Sequence, residues 1–365
     1  MSLTVGIVGL PNVGKSTLFN AITKKRILAA NYPFATIDPN VGIVTVPDKR
    51  LEVLEEMYIP DETIPTAFEF TDIAGLVKGA SLGEGLGNKF LSHIREVDAI
   101  CHVVRCFEDD SVIHVESHVD AIRDIEIINL ELILADLAVV ESRIEKIEKK
   151  AKTTKDKEAI EEVAALQKVL SALNKDIPAR KIEYTENEKK VLKHFNLLTM
   201  KPVIYLANVD ENNINQDNNY VTLVREHALK EGAEVIVMCA KIESEISELN
   251  EDDKALFLEE LGIKESSLDT LIRTTYSLLG LATYFTCGPK EVRAWTFVKG
   301  MKAPECAGII HSDFERGFIR AEVISYNDLV EAGSEKEARE KGKMRLEGKE
   351  YQMQDGDVCH FRFNV

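Results

Sequence analysis

One stretch near the N-terminus limits the possible folds more than any other: Gly9-Leu-Pro-Asn-Val-Gly14-Lys15-Ser16. It has the spacing G-x-x-x-x-G-K-[ST], and its context is right for a phosphate-binding loop. The apolar run Val5-Gly-Ile-Val8 reads as a buried strand before it, and residues 16–22 read as a helix after it. The glycines permit a tight loop whose N–H groups, with the helix N-terminus, face an anion. Lys15 is expected to reach the β- and γ-phosphates of a nucleotide, and Ser16 to ligate Mg²⁺. A strand, loop and helix of this kind belong to an α/β domain with a doubly wound, mainly parallel sheet.

The same texture recurs along the chain. Ala99-Ile-Cys-His-Val-Val104, Pro202-Val-Ile-Tyr-Leu-Ala-Asn208 and Glu234-Val-Ile-Val-Met-Cys239 read as further strands, while Ala67-Phe-Glu-Phe-Thr-Asp72 alternates at period two. Between these halves Ile122, Ile125, Leu132, Leu137, Val140, Ile144 and Ile147 recur at helical spacing, as do Ile160, Val163, Leu166, Val169, Leu170 and Leu173. Two readings fit: an antiparallel, coiled-coil-like hairpin projecting from the α/β domain, or surface helices packed on its sheet. After about residue 280, alternating stretches at 292–298 and 317–324 flank a short helix near 305–311, and a last strand follows Asp355-Gly356. The expected division is 1–120 and 200–280 for a split nucleotide-binding domain, 121–199 for the helical insertion and 281–365 for a small α+β module.

With 365 residues the chain is too long for one ordinary domain. Its 45 Lys and Arg against 62 Asp and Glu give a net charge of −17, which argues against a whole-surface nucleic-acid binder. The six cysteines form no C-x-x-C pair and read as reduced thiols of an intracellular protein. The N-terminus lacks the pattern of a signal peptide, and every apolar run is shorter than a membrane span needs. A soluble cytoplasmic protein without a membrane partner is expected.

Asp72-Ile-Ala-Gly75, at the end of a strand and downstream of the phosphate loop, reads as D-x-x-G. Asp72 can hold Mg²⁺ through water, and the Gly75 amide can contact a γ-phosphate. Leu76 stands where many Ras-like enzymes carry a water-orienting glutamine, so either the catalytic group comes from elsewhere or hydrolysis is slow. Asn12 fits two roles: helping to bind K⁺ in place of an arginine finger, or stabilising the turn.

Base recognition is expected at Asn208-Val209-Asp210-Glu211. Guanine-specific enzymes use N-K-x-D there; Val209 replaces the lysine and Glu211 the aspartate. Without that pair the site loses its discrimination against adenine, which favours ATP over GTP. Cys239-Ala240-Lys241 matches the S-A-K type of loop that sets backbone amides beside the base. Two patterns carry less. Gly83-Glu-Gly85-Leu-Gly87 lacks the strand a dinucleotide fingerprint needs, and His114 and His118 lack the rest of a zinc motif.

Taken together, Gly9 to Thr17, Asn31-Tyr-Pro-Phe-Ala-Thr36, Asp72-Ile-Ala-Gly-Leu-Val-Lys-Gly79, Gly85-Leu-Gly-Asn88, Asn208 to Glu211, Phe314-Glu-Arg-Gly-Phe-Ile-Arg-Ala321 and Asp355-Gly-Asp-Val358 resemble the YchF/Obg-like ATPase subfamily of P-loop proteins over essentially the whole chain. The resemblance implies a G-type domain, a coiled-coil insertion and a C-terminal TGS domain of ubiquitin-like β-grasp fold. It implies Mg²⁺-dependent ATP hydrolysis and association with the ribosome or its large subunit through the coiled coil and TGS domain. Carried over, Asn12, Val13, Gly14, Lys15, Ser16 and Thr17 bind phosphate, Ser16 and Thr36 serve Mg²⁺, and Asn208 and Val209 contact adenine. The family replaces the catalytic glutamine with a hydrophobic residue, as Leu76 does. A histidine matching His114 is its candidate for supporting hydrolysis, against the plainer reading of a satisfied loop histidine. Lys15, Gly75 and His114 are thus the candidate catalytic set. A monomer is expected.

Competing readings are a GTPase of the translation-factor type and a nucleotide-gated RNA-binding scaffold. Charge also divides unevenly: residues 141–195 hold 14 Lys and Arg against 11 Asp and Glu, while residues 281–365 hold 13 against 14. The acidity lies in the nucleotide-binding body, so an RNA partner is expected on the appendages, with salt-sensitive binding.

Overall fold

The computed structural model describes residues 3–24, 40–73, 86–115, 117–154 and 156–364. From the N-terminus the elements run β1 (Thr4–Val8), α1 (Lys15–Lys24), β2 (Val41–Thr45), α2 (Lys49–Tyr58), β3 (Glu62–Ile64) and β4 (Ala67–Asp72). Then come α3 (Leu86–Glu96), β5 (Ala99–Arg105), α4 (Ala121–Thr154), α5 (Lys157–Leu173) and α6 (Glu186–Lys193). β6 (Val203–Asn208), α7 (Asn219–Glu231), β7 (Glu234–Met238), α8 (Ala240–Ile246), α9 (Glu251–Glu260) and α10 (Ser267–Leu278) follow. The chain ends with β8 (Leu281–Cys287), β9 (Glu291–Val298), α11 (Ala303–Ile310), α12 (Ser312–Arg316), β10 (Phe318–Ser325), α13 (Tyr326–Ala332), α14 (Glu335–Glu340), β11 (Arg345–Glu347) and β12 (Asp357–Phe363).

Two compact units form: residues 1–43 with 69–271, and residues 44–68 with 272–365. The first carries a sheet of order β2-β4-β1-β5-β6-β7, in which β1 pairs parallel with β4 and β5, β5 with β6, and β6 with β7. Every residue of β5 and β6 is buried, as their unbroken apolar sequences require of strands covered on both faces. The expected α/β fold with a mainly parallel sheet is present. Parallel strands align their carboxyl ends, so the ends of β1, β4, β5, β6 and β7 lie along one edge of the sheet.

α4 is 34 residues long, about 51 Å. It pairs with α5: Ile133 and Val140 pack with Leu166, Val169 and Leu173, and farther along Ile147 meets Ala159. The early part of α4 thus faces the end of α5, which makes the pair antiparallel. α4 also packs on β5 and α7. Near the middle of α4 the wholly buried Asp136 accepts hydrogen bonds from the amides of Leu198 and Thr199 and from the Thr199 hydroxyl. Those bonds join the hairpin to the segment entering β6.

The second unit has a sheet of order β11-β10-β12-β8-β9-β3. Alternate residues of β10 serve opposite cores: Val323 packs with Cys306, Ala307 and Phe361, and Ile324 with Leu51, Leu54 and Leu329. Residues 44–68 therefore belong with the C-terminal unit rather than with the nucleotide-binding part where the sequence pattern put them. β3 pairs parallel with β9, and α2 buries Leu51 and Leu54 in the second core. Among the described residues no helix is long and apolar enough to cross a membrane.

Candidate nucleotide site

A cavity of about 780 Å³ opens at the carboxyl edge of the first sheet. Its walls come from three places: the loop between β1 and α1, the segment after β5, and the ends of β6 and β7 with the residues that follow them.

The first wall is backbone. Gly14 has φ +99°, and a Cβ there would stand 2.3 Å from Asn208 Nδ2, so only glycine fits. Gly9 is equally constrained, since a Cβ would meet the Val103 carbonyl at 2.7 Å. Asn12 also lies in the left-handed region, with φ 62°, a conformation asparagine tolerates. Its side-chain Nδ2 donates to the Ile113 carbonyl at 3.1 Å, which supports its turn-stabilising role. α1 starts at Lys15, so the amides of its first turn are left for an anion. Asn12, Gly14, Lys15, Ser16 and Thr17 all line the cavity, while Val13 is buried behind it. Lys15 Nζ lies 3.2 Å from Asp72 Oδ1, which brings the phosphate-loop lysine and the strand-end carboxylate together.

A second wall holds Asn208 to Glu211, the stretch expected from the sequence to read the base. Asn208 is buried and ties two loops: its Nδ2 donates to the Val13 carbonyl at 2.8 Å, and its Oδ1 accepts from the Ala240 amide at 3.0 Å. Val209, Glu211, Cys239, Ala240 and Lys241 line the cavity beside it. Glu211 does not stand alone, because its Oε1 accepts from Lys241 Nζ at 2.5 Å, and that bond raises the lysine's pKa. Burial raises the Cys239 thiol, which leaves it neutral. Asp210 turns inward on its own chain, accepting from the Asn212 amide and Asn213 Nδ2.

The third wall carries no sequence motif. Phe107, Glu108, Asp109 and Val112 line the cavity. Arg105, the last residue of β5, holds this segment through its carbonyls. A lone phenylalanine after a strand carries no sequence signature; only its place at the carboxyl edge of β5 could have drawn attention to it.

His114 does not line the cavity. Its Nε2 lies 2.8 Å from Asp124 Oδ2, both side chains are 3% exposed, and Arg123 donates to the other carboxylate oxygen at 3.2 Å. Thr36, Gly75 and Leu76 fall outside the described residues. The Ser16 hydroxyl and Asp72 carboxylate are hard oxygen donors of the type Mg²⁺ takes, together with phosphate oxygens and water, so the residues fit that ion.

Residues 4–134 match the family described as 50S ribosome-binding GTPase, and residues 281–364 match the YchF-GTPase C-terminal family, described as a protein of unknown function. The chain is similar to the ribosome-binding ATPase YchF of Bacillus subtilis, at 65% identity over the full length of both. It is 55% identical to the protein of that name from Haemophilus influenzae, again over the full length of both. Among solved structures, the Schizosaccharomyces pombe YchF GTPase is similar with a TM-score of 0.90 and 44% identity, covering 99% of this chain and 98% of that one.

Proposed function

The chain belongs to the YchF family, and on that premise we propose that it binds ATP in preference to GTP, hydrolyses it slowly and associates with the ribosome. The observation that carries the nucleotide reading is the junction made by Asn208, which links phosphate loop and base loop across one cavity. In this reading the amides of residues 13–17 and the Lys15 ammonium take the phosphates, and Asn208 and Val209 meet the adenine, with the Phe107 ring supplying a stacking face. Glu211 is longer than the aspartate that reads guanine and is engaged by Lys241, which supports adenine. The relatives' printed name of ribosome-binding ATPase supports it too.

Ser16, Thr36 and, through water, Asp72 would hold Mg²⁺, which neutralises phosphate charge when bound. On the protein side, Lys15 and the Gly75 amide stabilise charge developing on the γ-phosphate. Leu76 cannot orient water, and His114 must leave Asp124 before it can serve, so basal turnover is slow. Asn12 spends its Nδ2 on Ile113, which leaves Oδ1 as the atom for K⁺; turnover in K⁺ against Na⁺ tests that role. Calorimetry with MgATP and MgGTP on the full chain tests the base preference. ATP is expected to bind more tightly, and GTP binding about tenfold tighter would establish the GTPase reading instead.

For the ribosome, the hairpin and the C-terminal unit are the assigned contacts, with the protein acting as a cytoplasmic monomer. β10 and β12 place Arg320 directly opposite Arg362, an arrangement that costs stability in a sheet. Both, with Arg339, gather about the single carboxylate of Glu322; the hydrogen bond from Arg362 first, and then the charge of Arg339, hold that carboxyl below its usual pKa. Each arginine side chain remains at least half exposed, with donors left for phosphate oxygens. Replacing all three by glutamine is expected to weaken co-sedimentation with ribosomes and flatten its salt dependence. Binding that is unchanged and salt-insensitive would refute this contact. Equal co-sedimentation with and without ATP would favour the scaffold reading over a nucleotide-dependent switch.

A further inference from the structure

We propose that Arg105 is a positioning residue for nucleotide affinity: it holds the 107–112 segment in the shape that presents Phe107 to the base. This rests on reading the cavity as a nucleotide site.

Arg105 is 2% exposed, in a place where a guanidinium is costly to bury unless its donors are satisfied. Among the described residues its hydrogen-bond partners are backbone oxygens. Nε donates to the Phe107 carbonyl at 3.1 Å, Nη1 to Val112 at 3.0 Å and Nη2 to Asp109 at 3.2 Å. Its guanidinium also lies over the Phe107 ring, 4.7 Å from the centroid. The segment is irregular, so its carbonyls have no ladder to satisfy them, and one planar fork does the work of several turns. Both ends are anchored to the rest of the site: the Cys106 amide donates to the Asn208 carbonyl at 2.8 Å, and Asn12 donates to Ile113. Arg105 thus fixes the middle of a wall whose ends belong to the base motif and the phosphate loop.

Lysine has a single nitrogen and cannot reach three carbonyls in a plane, so Arg105→Lys is expected to rescue only partly. Arg105 itself bonds the carbonyls of residues 107, 109 and 112 and not the amides of residues 13–17 or Lys15, and the segment meets the phosphate loop through the Asn12 side chain. Removing the fork should therefore weaken the base-dependent part of binding and spare the phosphate-dependent part.

The test is calorimetry on the full-length protein with MgATP and, separately, with Mg-tripolyphosphate, which has no base. For Arg105→Gln, ATP affinity is expected to fall about tenfold, the order of one lost stacking contact, and tripolyphosphate affinity to stay within about twofold. Steady-state turnover should show a raised KM with kcat at saturation nearly unchanged. Phe107→Ala should lose base-dependent affinity by a similar factor, and Arg105→Gln/Phe107→Ala should lose little more. The proposal is overturned if Arg105→Gln binds ATP like the parent, if both ligands weaken equally, or if the parent binds ATP no better than tripolyphosphate. Should the parent prefer GTP, the adenine reading fails, and the same comparison made with GTP decides the role of Arg105. If Arg105→Gln does not fold, Phe107→Ala and Arg105→Lys carry the comparison; unchanged ATP affinity in both overturns the proposal.

Discussion

Replacing Asn208 with alanine should damage stability and nucleotide affinity together. The side chain is 4% exposed and makes two hydrogen bonds, to the Val13 carbonyl and from the Ala240 amide. Alanine deletes both and leaves those backbone groups, on residues 1% and 3% exposed, without their partner. A buried polar group left unsatisfied costs ~1–3 kcal/mol, so the two together would cost ~2–6 kcal/mol. The cavity beside them lets water approach, which places the expectation at the low end, about 2–3 kcal/mol. Asn208→Asp is the sharper variant. It keeps an acceptor for Ala240 but sets an oxygen against the Val13 oxygen, and should cost at least as much despite its near-identical shape. Gly14→Ala attacks the same junction from the other side, since its Cβ would collide with Asn208 Nδ2. Its effect should therefore add to that of Asn208→Ala by less than the sum. Urea unfolding of the full chain, followed by circular dichroism with and without MgATP, measures both consequences. A ligand at a hundred times its Kd stabilises by about 2.7 kcal/mol, and that increment should shrink in each variant. If Asn208→Ala costs under about 0.5 kcal/mol and gains as much from MgATP as the parent, the junction has no such role.

Three further outcomes can be checked. Val209→Lys with Glu211→Asp restores the guanine-reading pair and should raise the ratio of GTP to ATP affinity at least about tenfold; an unchanged ratio in competition binding refutes the base assignment. His102 is wholly buried, and desolvation, followed by the nearby Arg180, pushes its pKa down from the usual 6.5 to about 3. The unfolded chain then binds a proton that the folded chain does not, so stability should fall as pH drops from about 6.5, by about 2 kcal/mol at pH 5. His102→Gln should remove that slope in thermal unfolding scans, and an identical slope would show that other groups cause it. Leu166→Ala empties a wholly buried position between the hairpin helices and should cost about 2–5 kcal/mol, read as a lower urea midpoint; a loss under 1 kcal/mol would mean that the hairpin core is not tightly packed.

What could be read in the sequence follows from how local each feature is. The phosphate loop is legible because its chemistry lies in successive backbone amides, and glycine and lysine at fixed spacing announce it. β5 and β6 are legible because burial on both faces demands unbroken apolar runs. β3 was not, being three residues of half-exposed sequence whose identity as a strand comes only from β9, some 230 positions away. Nor was the attachment of α2 to the second core: Leu51 and Leu54 look like any amphipathic helix and do not say which sheet they cover. The bond from His114 to Asp124 joins a loop to a helix, and no spacing rule encodes that.

The same distinction separates the two halves of the site. Phosphates are met by main-chain groups whose direction is set within one loop, so the sequence requirement is short and tolerant elsewhere. In the reading proposed above, the base meets a wall that Asn208 and Arg105 assemble from the ends of β6, β7 and β5. Those bonds cross long stretches of chain, and each depends on one side chain. Nucleotide preference can therefore change through substitutions at 209 and 211 without touching the groups that act on the γ-phosphate. Changes there should appear in KM and in the ratio of ATP to GTP, whereas changes at Lys15 should abolish nucleotide binding whatever the base.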